Sequence, residues 1–189
     1  MIRDHASRRP GCAQAAALLA GMLVPFLIHA AGGAVLTVEA MAQRAEVIAV
    51  GKVASLESLR DSTGHPYTRI ELSPVEVWKG AGTNRLVLAS GTTVLGERWV
   101  RVAGEQPYRM GEELLVFAVR NAAGEAVVLD PVQARFAVHA DARTGERHAD
   151  NGILGESESV RTAQVRTPAQ RRLPLALLRQ RVKAAVDQK

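Results

Sequence analysis

The stretch YRMGEELLVFAVR, residues 108–120, decides how this chain is read. Its apolar run is unbroken from Leu114 to Val119. Successive side chains of a strand point to opposite faces, so this strand must lie between two apolar layers. Glu112 and Glu113 precede the run and resemble a catalytic acid pair. Two carboxylates divide acid and base work only when both face one reacting bond. Neighbours on a strand diverge, so the pair is expected to be the hydrated lead-in to the strand, with Gly111 supplying the bend before it.

Working upstream, EVIAVGKVASLESL (46–59) has apolar residues dominating both parities from Val47 to Val53 and then alternates, which predicts a strand buried on both faces at its start. Gly51 within it suggests a bend or a close backbone approach. DSTGHP (61–66) has turn composition. In YTRIELSPVEVWKG (67–80), Ile70 and Leu72 have one parity and Val75 and Val77 the other. A one-residue slip would turn half of these to the wrong face, so a β-bulge is predicted at Ser73-Pro74. RLVLAS (85–90), ERWVRV (97–102), AVVL (126–129) and QARFAVHA (133–140) add short strands, and LTVEAMAQRA (36–45) reads as a short helix. The fold class that follows is mainly β: a small closed or partly open antiparallel barrel of five to six strands, OB-like, over residues 36–140.

The ends differ from the body. Residues 1–30 place Arg3, Arg8 and Arg9 before the apolar run AAALLAGMLVPFLI and the small residues after it, the order of a signal peptide. The expected cleavage follows Ala30, with Ala34 as the alternative, and an uncleaved N-terminal anchor is the rival reading. The chain is therefore expected to be exported, periplasmic or extracellular. Cys12 is the single cysteine and precedes the apolar run, so the mature chain would contain no disulfide and no thiolate ligand.

The net charge of +5 divides unevenly. Residues 161–189 carry eight basic groups and one acid, whereas residues 31–160 carry thirteen basic and seventeen acidic groups. A body that is mildly acidic does not present the basic face that nucleic acid requires, so no nucleic-acid partner is expected. Residues 141–172 are polar and aperiodic and are read as a flexible linker. RLPLALLRQRVKAAV (172–186) then predicts an amphipathic helix over 173–187, with Leu175, Leu178, Val182 and Val186 on one face. The plain role is to cap the barrel; the rival is a weak contact of residues 173–189 with an anionic membrane.

Catalytic signals are sparse. His65, His139 and His148 lack close metal spacing, and neither a nucleophile elbow, an HExxH helix nor a phosphate-binding glycine loop is present. No metal site, cofactor or catalytic residue is assigned. The candidate binding residues are Trp99 with Arg98 and Arg101, and Tyr108 with Arg109, because arginine beside aromatics is the composition of interaction hot spots. The plainer alternative packs Trp99 on the barrel; Trp78 is expected to cover the core.

The order AEVIAVGKV, then VEVWKG, then YRMGEELLVFAVR resembles small exported bacterial domains of the netrin-like and tissue-inhibitor-of-metalloproteinase-like kind, over about residues 38–140. The resemblance implies an OB-type barrel and a non-catalytic binding or inhibitory module, with a protein or glycan partner in the envelope or a secreted protease to regulate. Those inhibitors chelate zinc through an N-terminal cysteine, which the mature chain lacks, so that mechanism and its residues are not carried over. The other readings are a membrane-surface protein and an enzyme whose residues converge from separate strands.

Overall fold

The computed structural model describes residues 36–81, 84–96, 98–152 and 172–188, all within one unit spanning Ala34–Lys189. The expected signal segment 1–30 lies outside the described residues. In chain order the elements are α1 (Val38–Arg44), β1 (Val47–Arg60), β2 (Pro66–Lys79), β3 (Leu86–Ser90), β4 (Thr93–Leu95), β5 (Arg98–Val100), β6 (Glu113–Arg120), β7 (Ala126–Val128), β8 (Arg135–Ala140), β9 (Arg147–Asp150), β10 (Leu173–Pro174) and α2 (Leu175–Asp187).

Five strands close on themselves in the order β1-β2-β3-β7-β6-β1. All of these pairings are antiparallel except β3 with β7, which run parallel through the single pair Leu88↔Ala126. The barrel is thus mixed, where the sequence predicted antiparallel. Parity of a short strand reveals its faces but not the direction of its neighbour. β8 continues along the edge of β6 below β7, pairing Leu114↔Ala137 and Leu115↔Phe136, and carries β9 and β10 outward from the barrel.

β6 shows why its sequence is uniformly apolar. Leu114, Val116 and Ala118 face the barrel interior with Val53, Ile70, Leu72 and Leu88. Leu115 and Phe117 face the other way, into a second layer formed by Ile48, Val50 and Phe136 with both helices. Phe117 and Phe136 pack at 5.8 Å between ring centroids.

The bulge at Ser73-Pro74 is present. Between the pairs Gly51↔Val75 and Val53↔Leu72, β1 advances two residues while β2 advances three. The extra residue restores parity, so Ile70, Leu72 and Val75 all reach the interior cluster. Two further irregularities lie at Ala54, where β1 carries the extra residue between Val53↔Leu72 and Ser55↔Glu71, and at Trp78, between Ile48↔Lys79 and Ala49↔Val77. Trp78 packs on the helix-side layer, and Lys79 Nζ donates to the carbonyls of Ala42 (2.7 Å) and Gln43 (3.3 Å). A cation thereby occupies the negative end of α1. Gly80 follows at φ +94°, and a Cβ there would stand 2.7 Å from the Glu46 carbonyl oxygen. The Trp-Lys-Gly sequence therefore joins barrel, helix and turn in three consecutive residues.

Both helices lie on the outside of β1, β6 and β8. α1 begins at Thr37, whose hydroxyl accepts from the Ala40 amide at 3.1 Å. α2 buries Leu175, Leu178, Val182 and Ala185, with Val186 at the margin. Residues Leu173 and Pro174, expected in the helix, instead form β10 against Ala149 and His148. Arg181 of α2 ties the helices together by a bidentate bond to Glu39, at 2.7 and 2.9 Å. Part of the expected linker is also structured, since Arg147–Asp150 form β9. Only Ala149 is buried there, too short a pattern to register as alternation. Residues 153–171 of that segment lie outside the described residues.

Candidate binding site

The segment between β3 and β6 leaves the barrel and returns to it. β4 and β5 form a separate two-stranded sheet with Thr93↔Val100, Val94↔Trp99 and Leu95↔Arg98 in register. Trp99 is 65 % exposed and Val94, its partner directly across the hairpin, 57 %. Val100 is also exposed. The Arg101 guanidinium lies 5.9 Å from the centre of the Trp99 ring. The side chain of Arg98 lies outside the described residues. Cross-strand partners share a face, so Val94 and Trp99 present one apolar surface flanked by a cation.

The root of the hairpin is polar and closed. Glu105, 4 % exposed, accepts from Ser90 Oγ at 2.8 Å and from Thr92 Oγ1 at 2.6 Å, one on each carboxylate oxygen. Thr92 Oγ1 in turn accepts from the Val102 amide at 3.0 Å, and Ser90 Oγ from the Thr92 amide at 3.1 Å. Both ends of the excursion are thus fixed to one buried carboxylate. Thr93 Oγ1 is buried without a hydrogen-bond partner among the described residues. No local pattern betrays Glu105, because its partners stand thirteen and fifteen residues away and meet it only after the hairpin forms.

Tyr108 and Arg109 belong to a different place. Tyr108 packs at the end of the barrel interior, and the Arg135 guanidinium lies 4.3 Å from its ring centre. Burial pushes its phenol up to about 12, against the opposing pull of Arg135 and helped by the nearby charge of Glu105. Arg135 also donates to the Gln106 carbonyl at 2.7 Å. Arg109 is exposed and lines a cleft of about 420 Å³ with Pro107, Glu112, Arg135 and Asp150. No hydrogen bond, ion pair or ring contact among the described residues joins Trp99 to Tyr108 or Arg109. The candidates therefore divide into Trp99 with Arg101 on the hairpin, Arg109 at the cleft, and Tyr108 packed against the barrel interior under Arg135. Arg135, which no local pattern singles out, lies against the Tyr108 ring and lines the cleft with Arg109.

The two glutamates diverge. Glu112 accepts from the Arg109 amide at 3.2 Å and borders the cleft, whereas Glu113 takes Arg147 Nη2 at 2.6 Å. Gly111, at φ +76°, makes the bend, with its amide donating to the Val53 carbonyl at 2.8 Å. His139 and His148 are directly opposed on β8 and β9, and His65 sits in its turn with Thr63. Among the described residues no group of three or more His, Cys, Asp or Glu is arranged to hold a metal ion. The apolar face of α2 is buried in the helix-side layer, so contact of that face with a membrane would require the helix to undock. No described helix is long and apolar enough to cross a membrane.

No protein-family model matches this sequence, and no curated protein matches it significantly.

Proposed function

We propose that this chain is an exported, non-catalytic binding module of the netrin-like and metalloproteinase-inhibitor-like kind, which engages a protein of the cell envelope through the β4–β5 hairpin. A secreted protease is the partner class that the resemblance favours. The carrying observation is the exposure of Trp99 beside Val94, with Arg101 against the ring. A large aromatic left in water on a short hairpin is a liability unless something covers it, and Trp with Arg is the pair most enriched where binding energy concentrates. A protein is favoured over a glycan because Val94, which shares the face of the ring, offers no hydrogen bonds to sugar hydroxyls. Export rests on the sequence of residues 1–30.

The test places a photo-crosslinking residue at Val94 in the producing cell and compares the captured proteins with and without Trp99→Ala. A discrete adduct that disappears in the Trp99→Ala background supports the proposal. An unchanged adduct, or none above an uncrosslinked control, removes the hairpin from any binding role.

A further inference from the structure

The turn from β8 to β9 sets two imidazoles opposite each other, which their separation in the sequence does not announce. His139 pairs directly with His148, so both side chains leave the sheet on one face. That face is turned away from the helices, because Val138 and Ala149, the neighbours of the two histidines along their strands, are buried in the helix-side layer. Glu146, two residues before His148, has the same parity. The turn holds this register: Asp141 Oδ1 accepts from the Arg143 and Thr144 amides at 2.9 and 2.8 Å, and the Asp141 amide donates to the Glu146 carbonyl at 2.8 Å.

The polar atoms around His148 do not all match. Nδ1 lies 3.2 Å from the Glu146 carbonyl oxygen, which can only accept, so Nδ1 is the nitrogen that carries the proton. In the neutral ring Nε2 is then an acceptor, and it faces Glu146 Oε2, another acceptor, at 3.7 Å. Two lone-pair atoms turned toward each other need a cation between them, either a proton or a metal ion. A backbone carbonyl that fixes one ring nitrogen while the other is presented is also how metal-binding histidines are oriented. Zinc bonds of about 2.0–2.2 Å to nitrogen and oxygen, taken across a tetrahedral angle, place the two ligand atoms about 3.4 Å apart, close to the gap at His148. His139 is exposed and has no hydrogen bond or ion pair among the described residues, so its ring can turn toward the same point at little cost. In its present rotamer it does not complete a three-ligand group.

We propose that His148, Glu146 and His139 form a surface site for a divalent late-transition ion of the zinc kind, with His148 Nε2 and the Glu146 carboxylate already facing and the His139 ring closing on them. Two imidazoles with one carboxylate suit zinc, copper or nickel, whereas Mg2+ and Ca2+ require a shell of oxygen ligands. The site is independent of the β4–β5 hairpin, so either can fail alone.

Untagged full-length protein carrying Cys12→Ser, which removes the single thiol, is titrated calorimetrically with Zn2+, with Mg2+ and Ca2+ as controls. One saturable event is expected for Zn2+ and none for the other two at the same concentrations. His139→Ala and His148→Ala should each weaken zinc by about tenfold or more, and Glu146→Gln by about tenfold, while His65→Ala, in a different turn, should not. Zinc should raise the melting temperature of the parent and not that of His139→Ala. Without zinc the two should melt together, since the exposed ring has no partner to lose. The proposal is overturned if Zn2+ gives no saturable event, which would leave a proton as the cation between His148 and Glu146. It is equally overturned if Mg2+ or Ca2+ binds as tightly as Zn2+, or if His139→Ala titrates like its parent.

Discussion

Deleting Ser73 tests the account of the barrel at its most specific point. The bulge at Ser73-Pro74 is what lets residues of both parities along β2 face the interior. Without the extra residue one half of the strand must turn over. Turning out Ile70 and Leu72, both fully buried, is the costlier choice, so the downstream half is expected to rotate and expose Val75 and Val77. These are half-buried, and with Trp78 leaving the helix-side layer the lost burial amounts to about 3–4 kcal/mol, taking about 1.5–3 kcal/mol for a fully buried large side chain. Lys79 would also be carried away from the α1 carbonyls. At a urea dependence of about 2 kcal/mol per M, the midpoint should fall by about 1.5–2 M, followed by tryptophan emission. Ser73→Ala, which keeps the residue count, should stay within about 0.5 kcal/mol of the parent. If the deletion shifts the midpoint no further than Ser73→Ala does, the extra residue does not set the register.

Leu178→Ala, at a site with no exposure on the buried face of α2, should cost about 2–5 kcal/mol, whereas Leu177→Ala on the exposed side should cost under about 0.5, both read by thermal unfolding. Tyr108 has its phenol raised to about 12 from an unfolded value near 10, so the folded state holds its proton more tightly: stability is complete below pH 10 and declines as pH rises toward 12. Tyr108→Phe should flatten that alkaline decline in denaturation curves taken at successive pH values. The bond from Arg181 holds the Glu39 carboxyl below its usual range, so its contribution is present above pH 4.5 and is lost as pH falls through the lowered value. Both side chains remain partly exposed, and a double-mutant cycle of Glu39→Gln with Arg181→Met should give under about 1 kcal/mol at pH 7 and less at low pH.

Particular residues show where sequence reading reached and where it stopped. The two-sided burial of Leu114–Val119, the bulge at Ser73-Pro74 and the buried stripe of α2 follow from periodicity alone, because each is a local rule about which side a residue must face. The parallel pair Leu88↔Ala126 and the strand at Arg147–Asp150 depend on which neighbour arrives, and no local rule states that. The same division governs the sites. Trp99 was visible as an aromatic among arginines, but its exposure depends on β4 and β5 forming a hairpin of their own. Packing it on the barrel was the simpler expectation. Tyr108 and Arg109 are close to Trp99 in sequence, yet Arg135, twenty-six or more residues further on, anchors Tyr108 elsewhere.

Ser90, Thr92 and Glu105 hold both legs of the hairpin at its root, and this bears on how a partner would meet Trp99. A two-stranded hairpin is ordinarily loose, and a loose arm must give up its rotational freedom when it docks. Here much of that freedom is surrendered during folding, before any partner arrives. On the proposed reading, the strength of recognition at the tip would therefore depend on a carboxylate that the partner does not touch.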